Sequence, residues 1–160
     1  MLVCKPPAPW TADRDAVVVF LAGSIEMGRA TDWQAALTGC LPDHVVVLNP
    51  RRDEWDASWR QSIDEPRFRE QVEWELDGLD RADVIAMWFD PETRSPITLL
   101  ELGLHARSGK LIVGCPEGFW RRGNIEVVCS RFGVPLFPAW DAFVAQVVGT
   151  ATEIRSAARS

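Results

Sequence analysis

Short continuous apolar runs alternate along this chain with longer stretches whose apolar residues recur every three or four positions. AVVVFLAGS (16–24), HVVVLNP (44–50), DVIAMWF (83–89) and KLIVGCP (110–116) are rich in β-branched residues and are followed by turn formers. Runs of this kind predict strands buried on both faces. VPLF (134–137) is a shorter fifth candidate. Between them, TDWQAALTGCL (31–41) predicts a helix with Thr31 or Asp32 as N-cap and Pro42 beyond its end. From Pro66, PRFREQVEWELDGLDRA places Phe68, Val72, Leu76 and Leu79 at spacings of 4, 4 and 3, an amphipathic helix opened by proline. ITLLELGLHARSG (97–109) predicts a helix closed by Gly109. RGNIEVVCSRFG (122–133) predicts another, and a last helix runs from about Trp140 to Ala158.

Strands alternating with helices give a parallel sheet covered on both faces. The expected fold is α/β, a flavodoxin-like or Rossmann-like three-layer arrangement around a five-stranded parallel sheet. One domain over residues 1–160 accounts for the length, with residues 1–15 and their three prolines as an extended leader on the surface. Residues 51–65 carry charge and two tryptophans without a clear period, which suggests a functional loop or lid. Ligands of such sheets bind outside the carboxyl ends of the strands. Function is therefore expected in AGSIEMG (22–28), NPRRDEW (49–55), FDPETRSP (89–96) and CPEGFWRRGN (115–124).

Composition narrows the partners. A formal net charge of −6 argues against a nucleic-acid backbone or an anionic membrane as the main partner. The local pairs Arg51-Arg52 and Arg121-Arg122 leave room for a small anionic ligand, although part of that charge is expected to be ordinary surface. Cys4, Cys40, Cys115 and Cys129 form no C-x-x-C pair and read as reduced thiols rather than a zinc or disulfide framework. No run has the form of a signal peptide or reaches transmembrane length, so a soluble, cytoplasmic protein is expected.

Candidate chemistry centres on SPITLLELGLHA (95–106), where one acid, Glu101, sits in apolar company. Two readings are open: a carboxylate that reaches solvent or pairs with an arginine, and an acid facing a pocket with its pKa set by desolvation. Glu75 stands in a similar setting in VEWELDGL, among acids that otherwise read as a solvated helix face. His105, four residues after Glu101, has no third partner for a metal and is expected near solvent. Gly23 and Gly28 allow close backbone approach after the first long strand, and Ser24 adds a hydroxyl there. Neither G-x-G-x-x-G nor the phosphate-loop motif is present.

With Ser24, Glu75, Asp90 and Glu101 in this order, the sequence resembles the nucleoside 2-deoxyribosyltransferase superfamily, including its 2′-deoxynucleoside 5′-phosphate N-hydrolase branch. The resemblance runs over about residues 17–137. Its pieces are VFLAGSI, ELDGLDRADVIAMWF and DPETRSPITLLELGLHARSGKLIVGCP, with ELG the most specific. It implies no metal and no organic cofactor, and homodimers or higher homo-oligomers in which neighbouring subunits help to complete each site. The partners implied are a nucleoside or nucleotide and a free nucleobase.

The resemblance makes Glu101 the nucleophile that attacks the anomeric carbon, forming a glycosyl-enzyme ester that water or a second base resolves. Glu75, where the family usually has Asp, becomes a contact to the base or its proton donor. Gly23 and Ser24 would meet the sugar or its 5′ end, Asp90 belongs to the substrate-binding set, and Ser95 matches the position that holds a 5′-phosphate. From their position at the carboxyl edge after 110–116, rather than from the resemblance, Asn124 and Arg121 are expected to reach the ligand in their own or a neighbouring subunit. Three departures stand out. Phe20 replaces a tyrosine that orients the nucleophile, and the chain has no tyrosine at all. Glu26 replaces an arginine of the hydrolase branch, where a carboxylate repels phosphate. PITLL replaces the usual glycines. Two alternatives accompany the enzyme reading: a non-catalytic nucleoside-binding or nucleotide-binding module of the same fold, and an N-glycosidase acting on a dinucleotide such as NAD.

Overall fold

In the computed structural model, which describes residues 1–13, 15–25, 31–54, 56 and 58–158, the apolar runs become strands of one parallel sheet. The strands are Leu2–Cys4 (β1), Val17–Gly23 (β2), Val45–Leu48 (β3), Val84–Trp88 (β4), Leu111–Gly114 (β5) and Leu136–Phe137 (β6), in the order β1-β3-β2-β4-β5-β6. The helices are Trp33–Thr38 (α1), Pro66–Arg81 (α2), Pro96–His105 (α3), Arg122–Phe132 (α4) and Trp140–Ala158 (α5). No helix of the described residues is long and apolar enough to cross a membrane.

Side chains of a strand alternate between the two faces, and the buried residues divide accordingly. Phe20, Ala22, Ile85 and Met87 pack with Trp74 of α2, Leu102 of α3 and Ile125 of α4. Val19, Leu21, Ala86 and Trp88 pack with Trp33 and Leu37 of α1 and Phe143 and Val147 of α5. The helices therefore form two layers, α2, α3 and α4 on one face and α1 and α5 on the other.

The sheet has six strands rather than five. The sixth comes from the segment expected as a surface leader: Leu2, Val3 and Cys4 pair in parallel with Val46, Val47 and Leu48. The strand is three residues long and at the sheet edge, and only Cys4 is buried. It therefore carries no two-sided apolar pattern to read. Two helices are also shorter than expected. The first spans Trp33–Thr38, with the Asp32 carboxylate accepting Ala35 N–H at 3.0 Å. The helix expected to reach Gly109 ends at His105, where Ser108 turns back onto the His105 carbonyl through N–H (2.9 Å) and hydroxyl (2.7 Å).

β2 lies between β3 and β4. The chain leaves β2 for β3 on one side and returns to β4 on the other. This reversal falls beyond the carboxyl ends of β2 and β4, the crevice position where such sheets usually hold ligands.

Candidate active site

The crevice begins at Ser24, one residue past β2. Its hydroxyl accepts the Asp90 N–H at 2.9 Å and lies 2.5 Å from Ser95 Oγ and 2.9 Å from Thr93 Oγ1. Thr93 Oγ1 is also 2.7 Å from Ser95 Oγ and 2.8 Å from the Asp90 carbonyl. Apart from the bond donated by Asp90 N–H, the other four contacts have only three hydroxyl protons to share, so the three side chains behave as one coupled unit. All three are buried. They tie the loop after β4 to the end of β2 and hold Ser95 in a left-handed conformation (φ 46°) from which α3 starts. Asp90 is occupied with backbone: Oδ1 accepts Glu92 N–H at 2.9 Å and Oδ2 accepts Thr31 N–H at 3.0 Å.

Glu101 follows on α3. It is only 9% exposed and forms no ion pair with the described residues, so neither the solvent reading nor the arginine-paired reading applies. Burial pushes its carboxyl up to about 8, and the charge of Glu75 adds to the shift. Glu75, on the neighbouring helix α2, is pushed up by burial to about 7, against the Gln71 amide that favours its ionised form. Gln71 Nε2 donates to Glu75 Oε1 at 2.7 Å and to the Pro50 carbonyl at 3.0 Å, which ties the acid to the end of β3. A buried and a half-buried carboxyl that are both desolvated and feel each other's charge hold at least one proton near neutral pH. Such a pair can supply a carboxylate and a proton donor in one site.

The other expected residues divide. Ser24, Asp90 and Ser95 come together, and Gly23 lies beside them. Gly23 serves packing: at φ 154° an added Cβ would meet the Trp88 carbonyl oxygen and stand 2.6 Å from the Trp33 ring. Phe20 is fully enclosed, its ring lying against Gly78 and 6.2 Å from Trp74, and so belongs to the core beneath α2. Asn124 is exposed in the first turn of α4 and shares no hydrogen bond with the cluster. Arg121 stacks on Trp120 (4.4 Å), whose other cationic neighbour is Arg94 (5.2 Å). Arg122 donates to the Cys115 carbonyl and pairs with Glu126 at 2.8 Å. His105 is buried rather than near solvent, and burial lowers its pKa. Glu26 and Gly28 lie outside the described residues.

Thr93 and Gln71 were not expected from sequence. Thr93 lies in the loop already singled out, and Gln71 precedes Glu75 by one helical turn. Either spacing could have pointed to them.

The fold and sequence have recognisable relatives. A conserved protein from Enterococcus faecalis V583 shares the fold, with a TM-score of 0.59 at 9% identity, over 86% of this chain and 98% of that one. No curated protein matches the sequence. The family model described as nucleoside 2-deoxyribosyltransferase like matches residues 16–119, a span that holds β2 to β5 and both acids. The chain belongs to the nucleoside 2-deoxyribosyltransferase-like family.

Proposed function

We propose that this protein cleaves or exchanges the N-glycosidic bond of a nucleoside or nucleotide through a covalent glycosyl-glutamate intermediate. The observation that carries the reading is the buried Glu101 on α3 with the half-buried Glu75 on α2 close enough for its charge to be felt, each raised in pKa by desolvation. In the first step a Glu101 oxygen forms a bond to the anomeric carbon while the carbon–nitrogen bond breaks. The reactive form carries the proton on Glu75 and the charge on Glu101. This is the less favoured arrangement of the resting pair, since Glu101 is the more strongly raised of the two and Gln71 favours ionised Glu75. The bonding pair leaves with the base nitrogen, and Glu75 gives that nitrogen its proton. In the second step water, or a second base, attacks the anomeric carbon. Glu75 takes the proton of the nucleophile, and the ester bond breaks to regenerate the Glu101 carboxylate. The sequence balances and returns both acids to their starting states. The Ser24–Thr93–Ser95 unit supports α3 at its start and so positions Glu101. A screen of nucleosides and 5′-mononucleotides for base release, with Glu101→Gln as control, tests the reaction. Addition of a free acceptor base separates exchange from hydrolysis.

The site is proposed to work in a homo-oligomer. Ile97, Leu100 and Leu104 repeat at helical spacing on α3 and are each 59% exposed, an apolar stripe on the helix that carries Glu101. One observation favours a second reading, a binding module without turnover. Phe20 offers only buried carbon where the resemblance expects a hydroxyl to orient the nucleophile. Nucleoside binding with no base release would favour that reading.

A further inference from the structure

The acids and hydroxyls account for bond cleavage but leave unused the most confined cations of the carboxyl edge. Arg51 and Arg52 follow β3 directly. The Arg51 N–H donates to Asn49 Oδ1 at 3.0 Å, which fixes the turn. Its side chain is 20% exposed, yet Nε and Nη2 are enclosed and donate to no atom of the described residues. Nε lies 3.8 Å from Asp32 Oδ1, an ion-pair distance too long for a hydrogen bond. The Arg52 side chain, 11% exposed, is held by the Trp59 ring at 5.0 Å and by Glu70 Oε2 at 3.4 Å, while its own Nε donates to nothing described.

An enclosed guanidinium N–H without an acceptor is costly, and native structures keep such groups where an acceptor arrives. The flat donor fork suits a tetrahedral oxyanion with several oxygens. The place also fits. Pro50, next to Arg51, accepts the Gln71 amide that holds Glu75, and Asp32 follows Thr31, whose N–H binds Asp90. Arg51 is therefore one chain neighbour from the carbonyl that anchors the proton-donor side, and its Asp32 partner is one chain neighbour from the residue that binds Asp90. The resemblance points to Ser95 for a phosphate, but the Ser95 hydroxyl is turned into the cluster with Ser24 and Thr93.

Resting on the N-glycosidase reading, we propose that Arg51, with Arg52 beside it, forms a subsite for a phosphoryl group, so that the substrate is a phosphorylated nucleoside rather than a neutral one. The test uses ribose 5-phosphate and ribose, which contain no base and no scissile carbon–nitrogen bond. Its outcome is therefore independent of base release, and failure of the Glu101 chemistry would appear only in the base-release screen. Calorimetric titration of the full chain is expected to show tighter binding of ribose 5-phosphate than of ribose. Arg51→Gln should lose at least about tenfold in affinity for the phosphate, about 1.4 kcal/mol, and Arg51→Lys should recover part of it. A purely structural arginine would lower the melting temperature without changing the preference between the two sugars. Equal affinity of the wild type for both sugars, absence of binding to either, or an unchanged preference in Arg51→Gln would overturn the proposal.

Discussion

Gln71 and Glu75 are joined by a 2.7 Å hydrogen bond, and the same amide nitrogen reaches the Pro50 carbonyl at 3.0 Å. One side chain thus fixes the position of an acid and favours its ionised form. Gln71→Leu removes both bonds and raises the Glu75 carboxyl further. If Glu75 donates the proton to the leaving base, the alkaline limb of the pH–rate profile should move upward while the maximal rate falls. A profile that keeps its shape would separate Gln71 from the proton donor.

Glu75→Gln keeps the volume and removes the proton. Loss of a general acid costs about 10²–10⁴-fold in rate, and the loss should be smallest for substrates whose base leaves without protonation. Steady-state kinetics on a poor and a good leaving group measures the difference. A uniform loss across leaving groups would assign Glu75 to binding instead.

The raised pKa of Glu101 has a consequence for stability. Its ordinary value is 4.5 and its folded value about 8. Between these the native state holds more protons than the unfolded chain. Stability therefore falls as pH rises through the window, and the penalty is complete above it. Glu101→Gln removes the titration. Its melting temperature should match the wild type near pH 4 and exceed it by at least about 2 °C by pH 9. Thermal melts across that range check the sign.

Leu100→Lys places a charge in the middle of the exposed stripe of α3. The variant should sediment as a monomer where the wild type associates, with unchanged secondary structure. A wild type that is monomeric at all concentrations would remove the stripe as an interface.

Much of this architecture is legible in the chain. Val17–Gly23, Val45–Leu48, Val84–Trp88 and Leu111–Gly114 announce themselves because burial on both faces leaves unbroken apolar runs. Leu2–Cys4 does not, since an edge strand with two exposed residues looks like any short apolar segment. Glu101 is legible as an acid in unsuitable company, and its helix places it near the crevice. The partnership of Ser24 with Thr93 and Ser95 spans 69 and 71 residues of sequence, and no local pattern encodes it. Phe20 shows the opposite limit. Its position in a strand gives no sign that Gly78 brings α2 close enough to enclose the ring.

The central claim is that Glu101 becomes covalently glycosylated. The most direct measurement is intact-protein mass after an acid quench during turnover of a substrate found by the screen, followed by peptide mapping. The account predicts an added glycosyl mass on the peptide that carries Glu101, and neither adduct nor base release in Glu101→Gln. Base release at an undiminished rate in Glu101→Gln, or an adduct mapped to another residue, would contradict it.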